Sequence, residues 1–530
     1  MTPPPFAFEV DGRSLDPVTV RRVLAGGPIR PRLADEARAR MLASRAVVER
    51  AIDEGRTVYG VNTGFGKLAN QRIAPAQLRQ LQINLLRSHA CGVGTPLPDR
   101  VVRLALLFRA NALAVGYSGV RPLLVETLLE MAAKDVLPRV PEQGSVGASG
   151  DLAPLAHLAL PLIGEGTVRV DGAERPGGDA MQAAGIALVA LEAKEGIALI
   201  NGIQISTAIG AAMLDDADRL LRIADLAAAM SVDALLGSKT PFDPRIQAVR
   251  PHPGQATTAR NVRALLEGSE ILASHAGCDK VQDAYSLRCV PQVHGAARDA
   301  LAHASEVVYR EINAATDNPL VFAEEGEVLS GGNFHGEPVA LVMDHAALAV
   351  HELGSISERR IESIVNPALS TGLPAFLAVD GGLQSGFMMA QVTAAALVCE
   401  TRTGLGPASA ESLPTSANQE DHVSLSPLAA RVAAFVTRSV ASILAIELLT
   451  ATRGIEFRRP RQAGRGIEAA MARLRARVPA GDDDVALGPM IDAVRTWMLE
   501  PGWLSAVENV AGPLEGIPGF HPELQEEADS

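Results

Sequence analysis

The spacing of apolar residues predicts long amphipathic helices over most of this chain. Between Leu301 and Ile312, apolar or small residues recur at intervals of three and four positions, which places them on one face of a helix. A second stripe follows Ser426 and Pro427, a typical N-cap and first-turn pair, and runs to Gly454, which is expected to end the helix. At ~1.5 Å per residue, this second helix would be roughly 40 Å long. Several such helices predict an elongated multi-helix bundle whose packing surfaces favour self-association.

The N-terminal part of the chain has a more mixed pattern. Short strand-like and helical pieces alternate there, and the segment from Gly164 to Gly178 has the alternating character of a small surface hairpin. The segment from Thr57 to Gly66 contains three glycines around Asn-Thr-Gly, which is typical of a mobile loop. A tyrosine on such a loop would be exposed to whatever the loop covers.

The chain is too long for one hydrophobic core. Its 530 residues exceed the limit of about 250–300 residues for a single core, so two or more packed subregions are expected. Hydrophobic residues make up 47% of the chain and aromatic residues only 3%, which favours close-packed helices over sandwiches or barrels. The predicted fold class is therefore mainly α. Its predicted parts are an N-terminal mixed α/loop region over 1–205, a central long-helix bundle with C-terminal helices over 206–512, and an acidic, frayed tail over 513–530.

The charge balance argues against two classes of partner. With 48 Lys and Arg against 61 Asp and Glu, the net charge of −13 disfavours general binding to nucleic acid or to anionic membranes. A basic run does occur from Arg453 to Arg477, and we expect it to be a solvated helical face near the acidic residues 482–484. The most apolar helical stretch, residues 439–450, is interrupted by Glu447 and is expected to be too short to span a bilayer.

The cysteines and the N-terminus indicate a cytosolic protein. Four cysteines in 530 residues are too sparse for a disulfide framework, and they have neither CxxC nor zinc-site spacing. We therefore interpret them as reduced thiols. The opening Met-Thr-Pro-Pro-Pro lacks the basic and apolar segments of a secretory signal. The four cysteines are Cys91, Cys278, Cys289 and Cys399.

A stretch of small residues, Gly147-Ala-Ser-Gly150, is the most unusual feature of the sequence. It does not fit a phosphate-binding loop, because no Lys-Ser/Thr pair follows the glycines. It does not fit a nucleophile elbow either, because Asp151 stands where the second glycine should follow Ser149. A helix start remains possible, with Ser149 or Asp151 capping the apolar run 152–162.

This stretch resembles the aromatic amino acid ammonia-lyase family. In that family an Ala-Ser-Gly tripeptide cyclises, loses water and dehydrates at the serine to give 4-methylideneimidazol-5-one (MIO), an electrophile that ordinary side chains cannot supply. The resemblance implies that Ala148, Ser149 and Gly150 are catalytic and form MIO here, with Ser149 dehydrated. It also implies that neither a diffusible cofactor nor a metal is required.

Two motifs in the first hundred residues extend the resemblance. Tyr59 matches the family's essential loop tyrosine, which is expected to remove the weakly acidic β-proton of an amino acid. The alternative, a half-buried packing tyrosine, is made less attractive by the flanking glycines. Ser88 and His89 match a pair beside the substrate ring, where His89 can hydrogen-bond an imidazole. A lone histidine is otherwise more often a satisfied polar residue.

Four further positions match residues that hold the amino acid group of the substrate. Asn201, in an apolar run, corresponds to an amide near the substrate amine and the MIO oxygen. Gln282, Tyr285 and Arg288 recur at intervals of three residues and can share one side of a helical stretch. Arg288 offers a planar fork suited to a carboxylate. A structural Arg-Asp ion pair is the alternative for Arg288.

Two late motifs complete the set and indicate the substrate class. Phe334, in Ser-Gly-Gly-Asn-Phe-His, resembles the family residue that packs near MIO, and Asn333 precedes it. Glu420, in Asn-Gln-Glu-Asp-His, matches the position where the histidine-selective branch has glutamate and the phenylalanine-selective branch has glutamine. A carboxylate and His89 together can orient an imidazole and exchange protons with it.

The resemblance covers the chain from about Tyr59 to His422 and implies an activity and an assembly. The implied reaction is the non-oxidative deamination of L-histidine to trans-urocanate and ammonia, the first step of histidine degradation. The implied assembly is a cytoplasmic homotetramer whose active sites are shared between subunits. The alternatives are a phenylalanine or tyrosine ammonia-lyase, an MIO-dependent aminomutase, or a helical scaffold that has lost catalysis. Residues after about 455 carry no motif of the family.

Overall fold

The computed structural model describes residues 4–64, 66–500, 502–518 and 520, and these are mostly helical. About 57% of the chain is helical, which confirms the mainly α prediction. The α-helices of the described residues are α1 (Pro17–Leu24), α2 (Asp35–Asp53), α3 (Leu78–His89), α4 (Asp99–Ala114), α5 (Pro122–Ala133), α6 (Leu152–Ala159), α7 (Gly177–Ala183), α8 (Glu195–Ile200), α9 (Gln204–Ala234), α10 (Pro244–Ala248), α11 (Pro253–Leu265), α12 (Glu270–Ser274), α13 (Tyr285–Arg288), α14 (Val290–Ile312), α15 (Glu337–Val365), α16 (Met388–Thr403), α17 (Ser426–Glu456), α18 (Arg465–Arg475), α19 (Leu487–Trp497) and α20 (Ser505–Ala511). Short 3-10 turns lie at Gly66–Leu68, Pro75–Gln77, Leu160–Ile163, Thr240–Phe242, Ala375–Leu377 and Ala408–Ala410.

The strands of the described residues form four small sheets. The strands are β1 (Phe6–Val10), β2 (Ile29–Leu33), β3 (Val93–Pro96), β4 (Leu137–Pro138), β5 (Pro141–Gln143), β6 (Thr167–Val170), β7 (Ala173–Pro176), β8 (Leu320–Phe322) and β9 (Glu327–Leu329). Strands β1 and β2 pair in parallel, whereas β3 with β5, β4 with β6, β6 with β7, and β8 with β9 are antiparallel. Strands β6 and β7 are the surface hairpin predicted between Gly164 and Gly178.

The chain divides into two compact units, each built from separate segments. The first comprises Met1–Ala212, Ser305–Asp344 and Pro407–Arg431, and the second comprises the remaining segments. One core cluster of the first unit joins valines of α2 to Leu78 and Val321, which are far apart in the sequence. The division at residues 205 and 512 expected from the sequence remains a prediction.

The second unit contains a buried polar layer within its helices. Glu447 on α17 accepts two hydrogen bonds from Arg360 on α15, at 2.5 and 2.8 Å, and further bonds from Ser231 and Ser357. All of these side chains are buried. A buried carboxylate requires this degree of pairing, because an unpaired charge would be strongly destabilising. The helical residue that interrupts the apolar stretch of α17 is therefore part of the core.

Helix α17 is longer than the sequence indicated. The prediction that Gly454 ends it is wrong, since the helix continues to Glu456. A Cβ at Gly454 would lie 3.1 Å from the Cβ of Ala234, so this glycine allows close helix packing instead. With 31 residues, α17 joins α15 as a helix long and apolar enough to cross a membrane by length and composition. Most of both apolar windows, 67% in α15 and 72% in α17, is buried inside the protein.

The C-terminal segments form ion pairs, and residues near their end pack into the core. The basic run begins with an ion pair from Arg453 to the acidic neighbour Asp482 at 2.8 Å, but the Arg453 side chain is only 12% exposed, so the expected solvated face does not include it. The start of the predicted tail packs into the second unit, where Leu514 and Ile517 are buried. Residues 521–530, which that prediction also covers, lie outside the described residues.

Candidate active site

The backbone of the small-residue stretch lies against a second glycine turn. Gly150 has a φ of +84°, and a Cβ there would lie 2.1 Å from the carbonyl oxygen of Gly202. The same oxygen accepts a hydrogen bond from the N–H of Asp151 at 2.6 Å. So close an approach of two backbones requires glycine. Because Asn201 precedes Gly202, two predicted site segments meet through their backbones.

The side chain of Asp151 binds Ser206 and does not cap the following helix. It occupies the N-cap position of α6, but its carboxylate accepts from the backbone N–H of Ser206 at 2.7 Å and from its hydroxyl at 2.8 Å. Burial raises the pKa of Asp151 to about 6, against the lowering effect of the Ser206 bonds. The predicted helix start is therefore present, because α6 begins at Leu152 directly after Asp151, but the predicted side-chain cap is wrong and α6 ends at Ala159.

Hydroxyl groups surround the first glycine of the stretch. Ser424 donates to the carbonyl oxygen of Gly147 at 3.2 Å, and its Oγ lies 3.3 Å from that of Ser426. Ser206 in turn lies 3.2 Å from Ser426. A Cβ at Gly147, whose φ is +71°, would come within 2.4 Å of Ser424. These contacts fix the stretch at both ends.

Ser149 and Glu420 form the central contact of the site. The Ser149 hydroxyl donates to Oε1 of Glu420 at 2.9 Å, although the two residues are 271 positions apart. The other carboxylate oxygen accepts from the Thr415 hydroxyl at 2.6 Å. Backbone hydrogen bonds between Thr415 and Glu420 close this turn. The sequence predicted both Ser149 and Glu420 as site residues, and the structure brings them together.

Tyr59 lies near the same carboxylate. Its phenolic oxygen accepts a hydrogen bond from the Gly66 N–H at 3.4 Å. Burial raises the pKa of Tyr59, and the negative charge of Glu420 raises it further. A Cβ at Gly66 would lie 2.7 Å from the Ser416 hydroxyl, so the tyrosine loop reaches the turn that carries Glu420. The predicted mobility of this loop remains a prediction, and Phe65 lies outside the described residues.

His89 ends helix α3 with one ring nitrogen engaged. Its Nδ1 lies 2.8 Å from the carbonyl oxygen of Leu85 and 3.1 Å from the Ser88 hydroxyl. Because a carbonyl oxygen only accepts, the neutral ring carries its proton on Nδ1 and leaves Nε2 as an acceptor. Burial lowers the pKa of His89, while the charge of Glu420 acts in the opposite direction. The ring is therefore held neutral and oriented.

Asn201 presents a buried oxygen that has no partner among the described residues. Its residue exposure is 4%, and its side-chain Oδ1 makes no hydrogen bond there. Its backbone oxygen accepts from Arg109 at 2.8 Å, and Arg109 also donates to Gln204 at 2.5 Å. Burial lowers the pKa of Arg109 to about 10. An unpaired buried amide oxygen is costly, so this group is suited to a bound donor.

The loop before α15 places Phe334 and Asn333 at the surface of the first unit. Phe334 is half-buried, and Asn333 is exposed, with its side-chain amide 3.4 Å from the carbonyl oxygen of Ala315. The two glycines before them have open space where a Cβ would be. The loop is held at its start by Asn318, which accepts from the N–H of Gly331 at 2.7 Å.

Gln282, Tyr285 and Arg288 belong to the second unit. The guanidinium carbon of Arg288 lies 4.6 Å from the ring centre of Tyr285, a cation–π contact. Tyr285 is 71% exposed, and Gln282 is exposed as well. Within the described part of the chain Arg288 forms no salt bridge, so the Asp-paired alternative is not observed. An arginine without a carboxylate partner remains able to bind one.

The sequence reasoning missed the residues that hold the site together. Arg109 and Gln204 interrupt apolar helices, and that signal could have identified them. Of the hydroxyl residues, Ser206 lies in the first turn of α9 and Ser426 begins α17, whereas Thr415 and Ser424 lie outside the helices; none of them has a distinctive spacing. The missed residues are Arg109, Gln204, Ser206, Thr415, Ser424 and Ser426.

The fold is that of helical ammonia-lyases and aminomutases. The chain is similar to the crystal structure of histidine ammonia-lyase from Trypanosoma cruzi, with a TM-score of 0.89 and 41% identity over 99% of this chain and 100% of that one. It is also similar to tyrosine aminomutase from Streptomyces globisporus, with a TM-score of 0.89 and 36% identity over 96% of this chain and 99% of that one.

The sequence comparisons identify the family. Residues 15–476 match the model of the aromatic amino acid lyase family. The chain is 54% identical to histidine ammonia-lyase of Sorangium cellulosum over 487 residues, which cover 90% of this chain and 95% of that protein. The chain therefore belongs to the aromatic amino acid lyase family, as the resemblance in its motifs indicated.

Proposed function

We propose that this protein is a carbon–nitrogen lyase that converts L-histidine to trans-urocanate and ammonia. The hydrogen bond from Ser149 to Glu420 carries the proposal, because it puts the tripeptide beside a carboxylate suited to an imidazole. The relative that is 54% identical to this chain is named histidine ammonia-lyase. Neither phenyl nor phenol has a ring nitrogen for Glu420 and His89 to bind, so these residues favour histidine over phenylalanine and tyrosine.

The residues around the tripeptide fit MIO. The ring of MIO requires the Gly150 nitrogen to reach the Ala148 carbonyl carbon, and the φ of +84° and the close approach to Gly202 require glycine at this position. When Ser149 loses its hydroxyl, Oε1 of Glu420 loses its present donor and can accept from a substrate N–H instead. When formed, MIO supplies the electrophile of the reaction. The proposal requires no metal and no diffusible cofactor.

The chain's own side chains would bind the substrate and move its proton. Glu420 accepts from one nitrogen of the imidazole, and Nε2 of His89 is available to accept from the substrate as well. The unpaired Oδ1 of Asn201 accepts from the substrate amine. Tyr59, once deprotonated, removes the β-proton. Holding these groups in one site lowers the entropic cost of the reaction.

Three further residues would bind the amino acid group, and one would lie beside MIO. Arg288 binds the substrate carboxylate with two parallel hydrogen bonds, while Tyr285 and Gln282 complete that clamp. Phe334 packs near the electrophile. We infer a cytoplasmic homotetramer with shared active sites; the exposure of Tyr285 and Gln282 supports contact with another copy. The four free cysteines support a reducing compartment.

A substrate panel tests the proposed activity. The purified full-length protein is incubated with L-histidine, L-phenylalanine or L-tyrosine, and the ultraviolet absorbance of the unsaturated product is followed. We expect urocanate from L-histidine and ammonia in equal amount. Chromatography of the same mixtures detects any β-amino acid, which an aminomutase would form. Faster turnover of L-phenylalanine or L-tyrosine, or a β-amino acid as the main product, would contradict the proposal.

A Ser149→Ala variant tests the covalent part. Intact-mass measurement of the wild type should give the sequence mass less two waters, and the Ser149→Ala variant should lack this deficit and the activity. Ser442→Ala is the matched control, because its hydroxyl donates to Arg438 within helix α17. Full activity of Ser149→Ala, or an active wild type of unmodified mass, would reject MIO.

A further inference from the structure

Three side chains of the types that bind metals lie close together, near proposed site residues in the sequence. They are His335, which follows Phe334, Glu337, the first residue of α15, and His422, two residues after Glu420. One ligand atom from each lies within 4.8 Å of the others. This is the single group of three such side chains found among the residues that the structure describes.

The two histidine rings are already arranged side by side. Their planes are parallel to within 1°, with ring centres 5.8 Å apart. Nε2 of His335 lies 3.3 Å from the carbonyl oxygen of His422. That oxygen only accepts, so Nε2 of His335 carries a proton and Nδ1 keeps its lone pair. Metal-binding histidines typically donate their second ring N–H to a carbonyl or carboxylate in this way.

Glu337 supplies the charge that the cluster requires. Its Oε2 is buried and has no hydrogen-bond partner among the described residues. An unsatisfied buried carboxylate oxygen is destabilising by several times the net contribution of an ordinary hydrogen bond. It is the first residue of α15, where the partially positive helix N-terminus interacts favourably with a negative side chain. A cation bound at Oε2 would remove the cost of burying this oxygen.

From this arrangement we propose that His335, Glu337 and His422 bind a divalent transition-metal cation of the Zn²⁺ type. Two histidines and one carboxylate are a common zinc ligand set, with bonds of about 2.0–2.2 Å. Tetrahedral bonds of that length put ligand atoms roughly 3.3 Å apart, so the present separations close by up to about 1.5 Å. His422 is exposed, so its ring is free of the packing that would oppose this movement.

The bound cation would join two loops that carry proposed substrate contacts. His335 belongs to the loop of Phe334, and His422 belongs to the turn of Glu420. A ligand that binds only the folded chain stabilises it in proportion to the logarithm of its concentration over Kd. The cation therefore acts as a structural link between the loops. It takes no part in the proposed deamination, which requires no metal.

Equilibrium dialysis tests the site on the full-length protein. The protein is freed of metal with a chelator and dialysed against ZnCl₂, and bound zinc is counted per chain. We expect one Zn²⁺ per chain, with affinity at least ~10-fold weaker in His422→Gln and in Glu337→Gln. His303→Gln, at an exposed histidine of α14, is the matched control and should bind like the wild type. Absence of stoichiometric zinc in the wild type would overturn the proposal.

Thermal unfolding provides a second readout that does not depend on lyase activity. Zn²⁺ should raise the Tm of the wild type and of His303→Gln, and at the same concentration should raise the Tm of His422→Gln less. Because His422 is exposed, His422→Gln should fold even if Glu337→Gln does not. Wild-type zinc affinity in His422→Gln would place the zinc elsewhere and overturn the proposal. Inactivity toward L-histidine in a protein that binds zinc at these residues would refute only the proposed function.

Discussion

At Gly150 the surroundings leave no room for any side chain. Gly150→Ala puts a Cβ 2.1 Å from the Gly202 oxygen and keeps a φ of +84° that costs on the order of 1–3 kcal/mol for other residues. We expect the variant to lose the mass deficit of two waters and its activity, and to show a lower Tm. Gly406→Ala is the control, since nothing lies within 4 Å of its added Cβ. A Gly150→Ala protein that keeps the deficit of two waters from its own sequence mass, and wild-type activity, would contradict this prediction.

Glu420 has to remain an acceptor at both of its oxygens. In Glu420→Gln, the amide nitrogen cannot accept the hydrogen bond that one of Ser149 and Thr415 now donates. Losing a charged acceptor for the imidazole should lower kcat/KM for L-histidine by roughly 10- to 100-fold. Steady-state kinetics should show no such loss in Asp421→Asn, the exposed neighbour. Equal losses in both variants would indicate a general effect of charge.

The sequence identified several site residues, but it did not show which of them contact one another. Ser149 and Glu420 were identified through family motifs, yet no local pattern indicates that residues 271 positions apart form a hydrogen bond. Thr415 was not identified, because a threonine in a polar loop has no distinctive spacing. Long-range contacts depend on how the chain packs, and the sequence carries that information only indirectly.

At the scale of elements, the loop that carries Tyr59 leads us to expect that lyase activity depends on pH. Burial and Glu420 both raise the pKa of Tyr59, so the deprotonated base is scarce at neutral pH and becomes more abundant as the pH rises. We expect kcat/KM for L-histidine to increase through the alkaline range. Tyr59→Phe should lower it by roughly 10²- to 10⁴-fold and abolish that increase. A profile that is flat or falls through this range would exclude Tyr59 as the base.

Helix α6 should make folding stability sensitive to mild acid. Its His157 accepts the N–H of Gly92 at 3.0 Å, which requires an unprotonated Nε2, and burial lowers the pKa of His157 from the model-peptide value of 6.5. Below pH 6.5 the unfolded chain binds more protons, so stability falls as the pH drops toward the folded-state pKa. In urea titrations, His157→Gln should show a smaller loss over this window. An unchanged loss would assign the effect to other groups.

Element boundaries were harder to predict than elements. The hairpin of β6 and β7 and the long helix after Ser426 follow from local alternation and helical spacing, and both are present. The end of that helix was wrong because Gly454 serves packing against Ala234, and tertiary contact overrides its low helix propensity. The cap at Asp151 failed for a similar reason, since Ser206 takes its carboxylate.

At the scale of the whole molecule, the proposed shared active sites can be tested by mixing two inactive variants. Tyr59→Phe and Arg288→Ala are each expected to be inactive. Unfolded together and refolded, they should form mixed tetramers in which some sites combine an intact Tyr59 with an intact Arg288 from another copy. Urocanate formation should then reappear. Each variant refolded alone is the control, and no recovery in a tetramer that mixes would place both residues in the same chain.

Each of the two compact units is built from segments that are separate in the sequence. After Ala212 the chain returns to the first unit twice, at residues 305–344 and 407–431, and these segments carry Phe334 and Glu420. Three of these four boundaries lie inside the continuous helices α14, α15 and α17, so no linker in the sequence marks them. The mainly α fold class could be predicted because helical spacing is local, whereas the assignment of segments to units depends on packing.

The contact between Ser149 and Glu420 has a consequence for protein engineering. The same carboxylate that would recognise the ring also holds the hydroxyl that must leave before the electrophile exists. Libraries that vary position 420 to accept new amino acids will therefore change maturation and selectivity together. Activity screens of such libraries should record the intact mass of every clone, because an immature clone and a clone with the wrong pocket both appear inactive.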